Sequence, residues 1–201
     1  MKKLLLILIL TLSFQSLAKA DDISDFQIEG MSIGDSLLDY FSKKEITNKI
    51  NSYSDKGYIF DPKDYYSITF KELARFEIYE AIQIYLKDKD ENFTIQAMGG
   101  LKYYKNNINE CYSDLDSIEK DFDTMFKNSL KIGDGKKRKH IADKSGKSTT
   151  LDYYYYLNDN RYEFVSIVCT DWSEKINSRD SFQVQISSYE FGDFLMNRAY
   201  N

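Results

Sequence analysis

Between residues 107 and 128 apolar side chains recur every three or four positions: Ile108, Cys111, Tyr112, Leu115, Ile118, Phe122, Met125 and Phe126. Asp114, Asp116, Lys120, Asp121 and Asp123 fill the positions between them. That period gathers the first set on one stripe of a helix and leaves the second on its other faces. Asn107 and Glu110 have the spacing to cap its start. A second helical pattern, Leu37, Leu38, Phe41, Ile46, Ile50 and Tyr53, follows Ser36 and Asp39, whose spacing is that of a capping box. It predicts a helix from Ser36. Residues 26–29 before it read as a short strand, and Gly30 and Gly34 as the corner joining the two. Backbone N–H groups at such a corner can meet an anion, but no basic or hydroxyl partner is nominated elsewhere in the chain. A terminal helix is expected over YEFGDFLMNRAY, behind Ser187 and Glu190.

The rest of the pattern has a period of two or is rich in strand formers. Residues 65–70, 76–87, 93–104, 149–157, 162–170 and 182–187 read as strands. DKDEN and Asn158-Asp159-Asn160 mark hairpin loops, and Gly99-Gly100 inside a strand predicts a bulge or a bend. Runs of strands with few helices specify an α+β fold. The expectation is an antiparallel sheet of about five to seven strands with one long helix packed on one face, and the helices together on that face.

The first twenty residues stand apart. Lys2 and Lys3, the apolar run from Leu4 to Phe14 and the small-residue site Ala18-Lys19-Ala20 have the order of a secretory signal peptide. The run is about half the roughly 20 residues a bilayer-spanning helix needs. Cleavage after Ala20 is expected, leaving a single α+β domain over residues 21–201 in the periplasm. It removes Lys2, Lys3 and Lys19 and no acid, which moves the net charge from −5 to −8. Such a chain repels nucleic acid and anionic membrane surfaces overall, and any membrane contact is peripheral. In an oxidising compartment the two cysteines, Cys111 and Cys169, are expected to form a disulfide.

Few residues suggest catalysis. His140 is the only histidine and ends the basic run KKRKH, so His-dependent nucleophilic catalysis and a His-rich zinc site lack their ligands. Ser145-Gly146-Lys147-Ser148 imitates the tail of a phosphate-binding loop, but Ile141 stands where its first glycine belongs. Asp88, Asp90 and Asn92 imitate the start of a calcium loop, with Phe93 in place of the turn glycine and Gly99 in place of the final Glu. The acids of the long helix, Asp114, Glu119, Asp121 and Asp123, read as a solvated face. No cofactor or metal is expected.

Two stretches suggest binding. Lys136, Lys137, Arg138 and Lys139 form a positive island on an acidic protein, fit for lipid phosphates or an acidic partner. Tyr153, Tyr154, Tyr155 and Tyr156 form a run that a strand divides between its two faces, so one pair meets the core and the other a second surface.

The opening Gly30-Met31-Ser32-Ile33-Gly34-Asp35-Ser36-Leu37 resembles the G-[IM]-x-[IL]-G-x-S-L start of small exported proteins of AT-rich marine alphaproteobacteria. NECYSDLDSIEKDF, VCTDW and ISSYEFGDFL are similar in style, so the likeness spans most of the exported chain. It implies no activity, since none is known for that group. A fainter resemblance, to small outer-membrane assembly lipoproteins, covers the strand-turn-helix opening alone, and this chain lacks their lipid-bearing cysteine.

The leading expectation is a non-enzymatic periplasmic protein that binds another cell-envelope component through the tyrosines or the basic loop. A small-ligand module with an aromatic pocket between helix and sheet is second, and a hydrolase using carboxylates alone is third.

Overall fold

The computed structural model describes residues 22–53, 60–105, 107–141, 143–157, 161–176 and 178–199. The segment assigned above to a signal peptide lies outside them, as does the loop Asn158–Asn160. In chain order the elements are β1 (Gln27–Ile28), β2 (Met31–Ser32), α1 (Lys43–Asn51), β3 (Tyr65–Lys71), β4 (Ala81–Lys87), β5 (Ile95–Tyr104), α2 (Ile108–Met125), β6 (Leu130–Ile132), β7 (Arg138–Lys139), β8 (Thr149–Tyr156), β9 (Phe164–Asp171), β10 (Asp180–Ser187) and α3 (Tyr189–Asn197). Seven strands form one antiparallel sheet in the order β3-β4-β5-β10-β9-β8-β6, and β7 pairs with the other end of β8. The fold is α+β, with the long helix α2 packed against β9 and β10.

Alternation along each strand separates two faces. Ile68, Ile84, Met98, Ile186, Val165 and Tyr155 belong to the inner face, whose core is closed by α2 and by the chain from Ile23 to Ile46. Residues on the opposite, outer face include Tyr65, Tyr85 and Ala97. They meet Phe191 and Phe194 of α3 in a second, smaller cluster. The terminal helix therefore does not join α2 on one face, as the element order suggested. Its apolar stripe covers aromatic residues that strand alternation had already committed to the other side.

The opening segment is a corner with a different anatomy from the one expected. Glu29 (φ 52°) and Gly30 (φ 79°) form the two-residue turn of a hairpin in which Ile28 faces Met31. Helix formation is then delayed. Leu37 N–H donates to the Phe93 carbonyl, and Ser36 bridges Thr94, which ties this stretch to the start of β5. Ser36 consequently caps only a 3-10 turn, Leu37–Asp39, and the capping box belongs to Ser42 and Glu45 at the start of α1. Strand β4 likewise starts at Ala81 rather than near residue 76. The N–H groups of Glu77, Ile78 and Tyr79 donate to the Glu29 carboxylate and are withdrawn from any ladder.

The paired glycines of β5 cause no bulge; the register shifts between Tyr85 and Leu86 of β4 instead. Gly99 and Gly100 make room. Their missing side chains admit the Gln183 amide on the outer face and the Tyr79 ring on the inner one.

Helix α2 is held to the sheet in three ways. Its apolar stripe buries Cys111, Leu115 and Phe122. The Cys111–Cys169 disulfide joins its first turn to β9, with Cα atoms 6.0 Å apart. Its acids reach the strands: Lys102 Nζ and the Tyr104 hydroxyl both donate to Asp114 at 2.7 Å. Lys131 pairs with Glu119 and Asp123. Asp114 and Glu119 are half-buried latches rather than members of a solvated face, whereas Asp123 remains exposed while holding Lys131. Among the described residues no helix is long and apolar enough to cross a membrane.

Candidate functional site

Strand β8 splits its tyrosines as its period requires. Tyr153 and Tyr155 lie on the inner face under α2, at 9% and 1% exposure. Tyr155 packs on Phe122 and Phe126 with ring centroids 5.7 and 5.3 Å away.

Tyr154 and Tyr156 lie on the outer face. Their rings stack 6.3 Å apart, and both meet Phe164 of β9. Tyr156 is buried and Tyr154 half-buried, and burial pushes the Tyr154 phenol up to about 12. Across the ladder Tyr156 faces Leu130 and Tyr154 faces Ile132. Directly opposed residues share a face, so two aliphatic side chains, 43% and 38% exposed, border the stacked rings. Farther in, the same face carries Gln83, Gln183, Gln185, Ser166 and Thr170. The result is an apolar, aromatic corner at the β6–β8 border of this face.

The basic run lies at the other end of β8. Arg138 donates to Asp152 at 2.7 Å and to Asp134 at 3.0 Å. Lys136 pairs with Asp134, and Lys137 Nζ sits 4.0 Å over the Tyr112 ring of α2. Lys139 lies beside Gly146 and forms no ion pair with the described residues. Much of the positive island is therefore neutralised by its own neighbours.

The loop that follows is organised by a residue the sequence reading passed over. Asp143, 5% exposed, accepts hydrogen bonds from the Ser145 and Ser148 N–H groups and from the Ser148 and Ser173 hydroxyls. These bonds hold its carboxyl far below the usual range. The phosphate-loop look-alike thus turns its donors onto an internal carboxylate. Ser148 is fully buried and accepts from Ser173 N–H as well, so its hydroxyl is engaged on both sides. His140 packs against Trp172 with ring centroids 4.3 Å apart, and burial lowers its pKa.

The other imitation resolves in the same way. Asp90 accepts from the N–H groups of Asn92 and Thr94 and closes its own hairpin turn. No group of three or more His, Cys, Asp or Glu among the described residues converges as metal ligands. Two solvent-open clefts flank α1. One, of about 350 Å³, lies against Phe70 and Leu73. The other, of about 470 Å³, lies beside Asp88, Lys89 and Phe93. Neither touches the tyrosine run or the basic loop.

No family model, curated protein or solved structure matches this chain.

Leu130 and Ile132 were missed because three residues between a helix and a glycine loop carry too little period to reveal a strand. Asp143 could have been suspected from its position before Ser145 and Ser148, a spacing typical of side chains that fold back onto local N–H groups.

Proposed function

We propose that this protein is a non-enzymatic periplasmic component that binds another protein of the cell envelope through the outer-face corner formed by Tyr154, Tyr156, Leu130 and Ile132. The observation that carries the reading is the exposure of Leu130 and Ile132 directly opposite the two tyrosines. Aliphatic rims around partly covered aromatic rings suit the centre of a protein interface, because they lose water without leaving buried polar groups unpaired. Periplasmic placement is supported by the signal-like first twenty residues and by the Cys111–Cys169 disulfide.

The test compares the wild-type protein, recovered gently from the periplasm, with a Leu130→Glu, Ile132→Glu variant. Native mass spectrometry reads what each carries, and circular dichroism checks that both fold. Loss of a co-purifying envelope protein from the folded variant alone supports the reading. Equal co-purification overturns it, as does a bare chain in both samples. A small-molecule adduct retained by both transfers the function to the aromatic-pocket alternative.

A further inference from the structure

We propose that the loop joining β7 to β8 is a docking tip for an anionic lipid bilayer, with Ile141 entering the headgroup–acyl boundary and Lys139, Lys144 and Lys147 meeting lipid phosphates. This stands apart from the outer-face corner and does not depend on it.

Ile141 is 88% exposed; the next most exposed large apolar side chain among the described residues is Met196, at 55%. Unpaired positive charge lies close to it in the chain. Lys136, Lys137 and Arg138 are engaged by Asp134, Tyr112 and Asp152. Lys139, Lys144 and Lys147 are exposed and make no ion pair with the described residues. Chain geometry keeps them together, because His140 N–H donates to the Ser148 carbonyl and Lys139 faces Thr149 across the ladder.

The loop is also preset. The four donors on Asp143, together with Asp143 N–H on the His140 carbonyl and Gly146 N–H on the Asp143 carbonyl, hold residues 143–148 against Ser173. Docking therefore needs little further ordering of the backbone.

Two arguments select a bilayer over an acidic protein. A single exposed aliphatic side chain on a lysine-bearing loop lacks the aromatic or aliphatic cluster that forms the centre of a protein interface. A bilayer accepts a single apolar side chain anywhere on its surface, and anionic headgroups attract the lysines around it. Without residues 1–20 the chain is acidic, at −8, so an anionic surface repels its other faces and this loop decides the orientation.

One aliphatic side chain with three lysines gives weak, reversible binding. The experiment is co-sedimentation of the protein lacking residues 1–20 with phosphatidylglycerol-containing vesicles and with pure phosphatidylcholine vesicles. The expected result is partitioning onto the anionic vesicles alone, weakening as salt is raised. Ile141→Ser should lower it about tenfold. Neutralising any one of the three lysines should lower it about fivefold. All four positions are exposed, and circular dichroism verifies the fold. Absence of wild-type binding overturns the proposal. So does an Ile141→Ser variant that binds like the wild type, because the loop would then be only a charge.

Discussion

The Tyr155 hydroxyl, on the inner face of β8, donates to the Asp123 carboxylate of α2 at 2.8 Å. Burial and that carboxylate drive the phenol pKa far above its ordinary value, so Tyr155 remains a donor throughout the working pH range. Lys131 reaches the same carboxylate from β6. One acid thereby fastens the last turns of the long helix to two strands. Tyr155→Phe should cost about 2 kcal/mol, the usual value for a hydrogen bond to a charged group. Tyr155→Ala should cost roughly 3–5 kcal/mol, because it also removes the ring that packs on Phe122 and Phe126. Urea unfolding of the two variants reads the difference.

Cys111 and Cys169 are 58 residues apart in sequence. Closing a loop of that length restricts the unfolded chain by an ideal value of about 4 kcal/mol. Reduction, or a Cys111→Ala, Cys169→Ala variant, should lower the urea midpoint accordingly. The effect should survive in the Tyr155→Phe background, because the two attachments lie at opposite ends of α2 and their losses should add.

Gly192 has no room for a methyl group. A Cβ built there would lie 1.7 Å from the Tyr162 carbonyl oxygen, a backbone atom that cannot swing aside. Gly192→Ala should displace α3 and cost about 3 kcal/mol or more, despite alanine's better helix propensity. Thermal unfolding measures the loss, and enhanced proteolysis after residue 188 would locate it.

His140 and Trp172 give a pH readout. Burial holds the folded-state pKa of His140 below the usual value of 6.5. The unfolded chain therefore binds its proton first as pH falls. The stability contributed by neutral His140 is complete above pH 6.5 and declines as pH drops through the folded-state pKa. Protonation should quench Trp172, the sole tryptophan, in a step whose midpoint lies below 6.5. His140→Phe should abolish that step while preserving the ring contact.

The fold class was legible because its longest signals are strongly periodic. Helix α2 and strands β8, β9 and β10 stand where their patterns put them, as does the cysteine pair that joins helix to sheet. What failed was local structure overridden from a distance. Ser36 looks like the start of a helix, yet its neighbours are bound to Phe93 and Thr94, more than fifty residues away in sequence. Residues 77–79 look extended, yet their N–H groups belong to Glu29. The helix acids read as solvated because periodicity says which face they occupy and nothing about a tyrosine or lysine opposite. Of the candidate sites, the division of Tyr153–Tyr156 followed from strand alternation alone. The exposed residues that complete each patch, Leu130 and Ile132 on one and Ile141 on the other, are single apolar positions without a period to announce them.

The outer side of β8 is shared by three residues of β6 and two of β7, with a glycine-containing segment between them. A strand from a second molecule would find only a broken ladder there, with lysines along it. At the opposite border of the sheet Thr69 points its N–H away from β4, and the Tyr53 hydroxyl already occupies it at 2.9 Å. Both borders thus discourage the pairing through which exposed strands nucleate fibrils. The exposed aliphatic side chains Leu130, Ile132 and Ile141 project from a sheet face and a loop, so they offer no ladder of backbone groups on which the chain could polymerise.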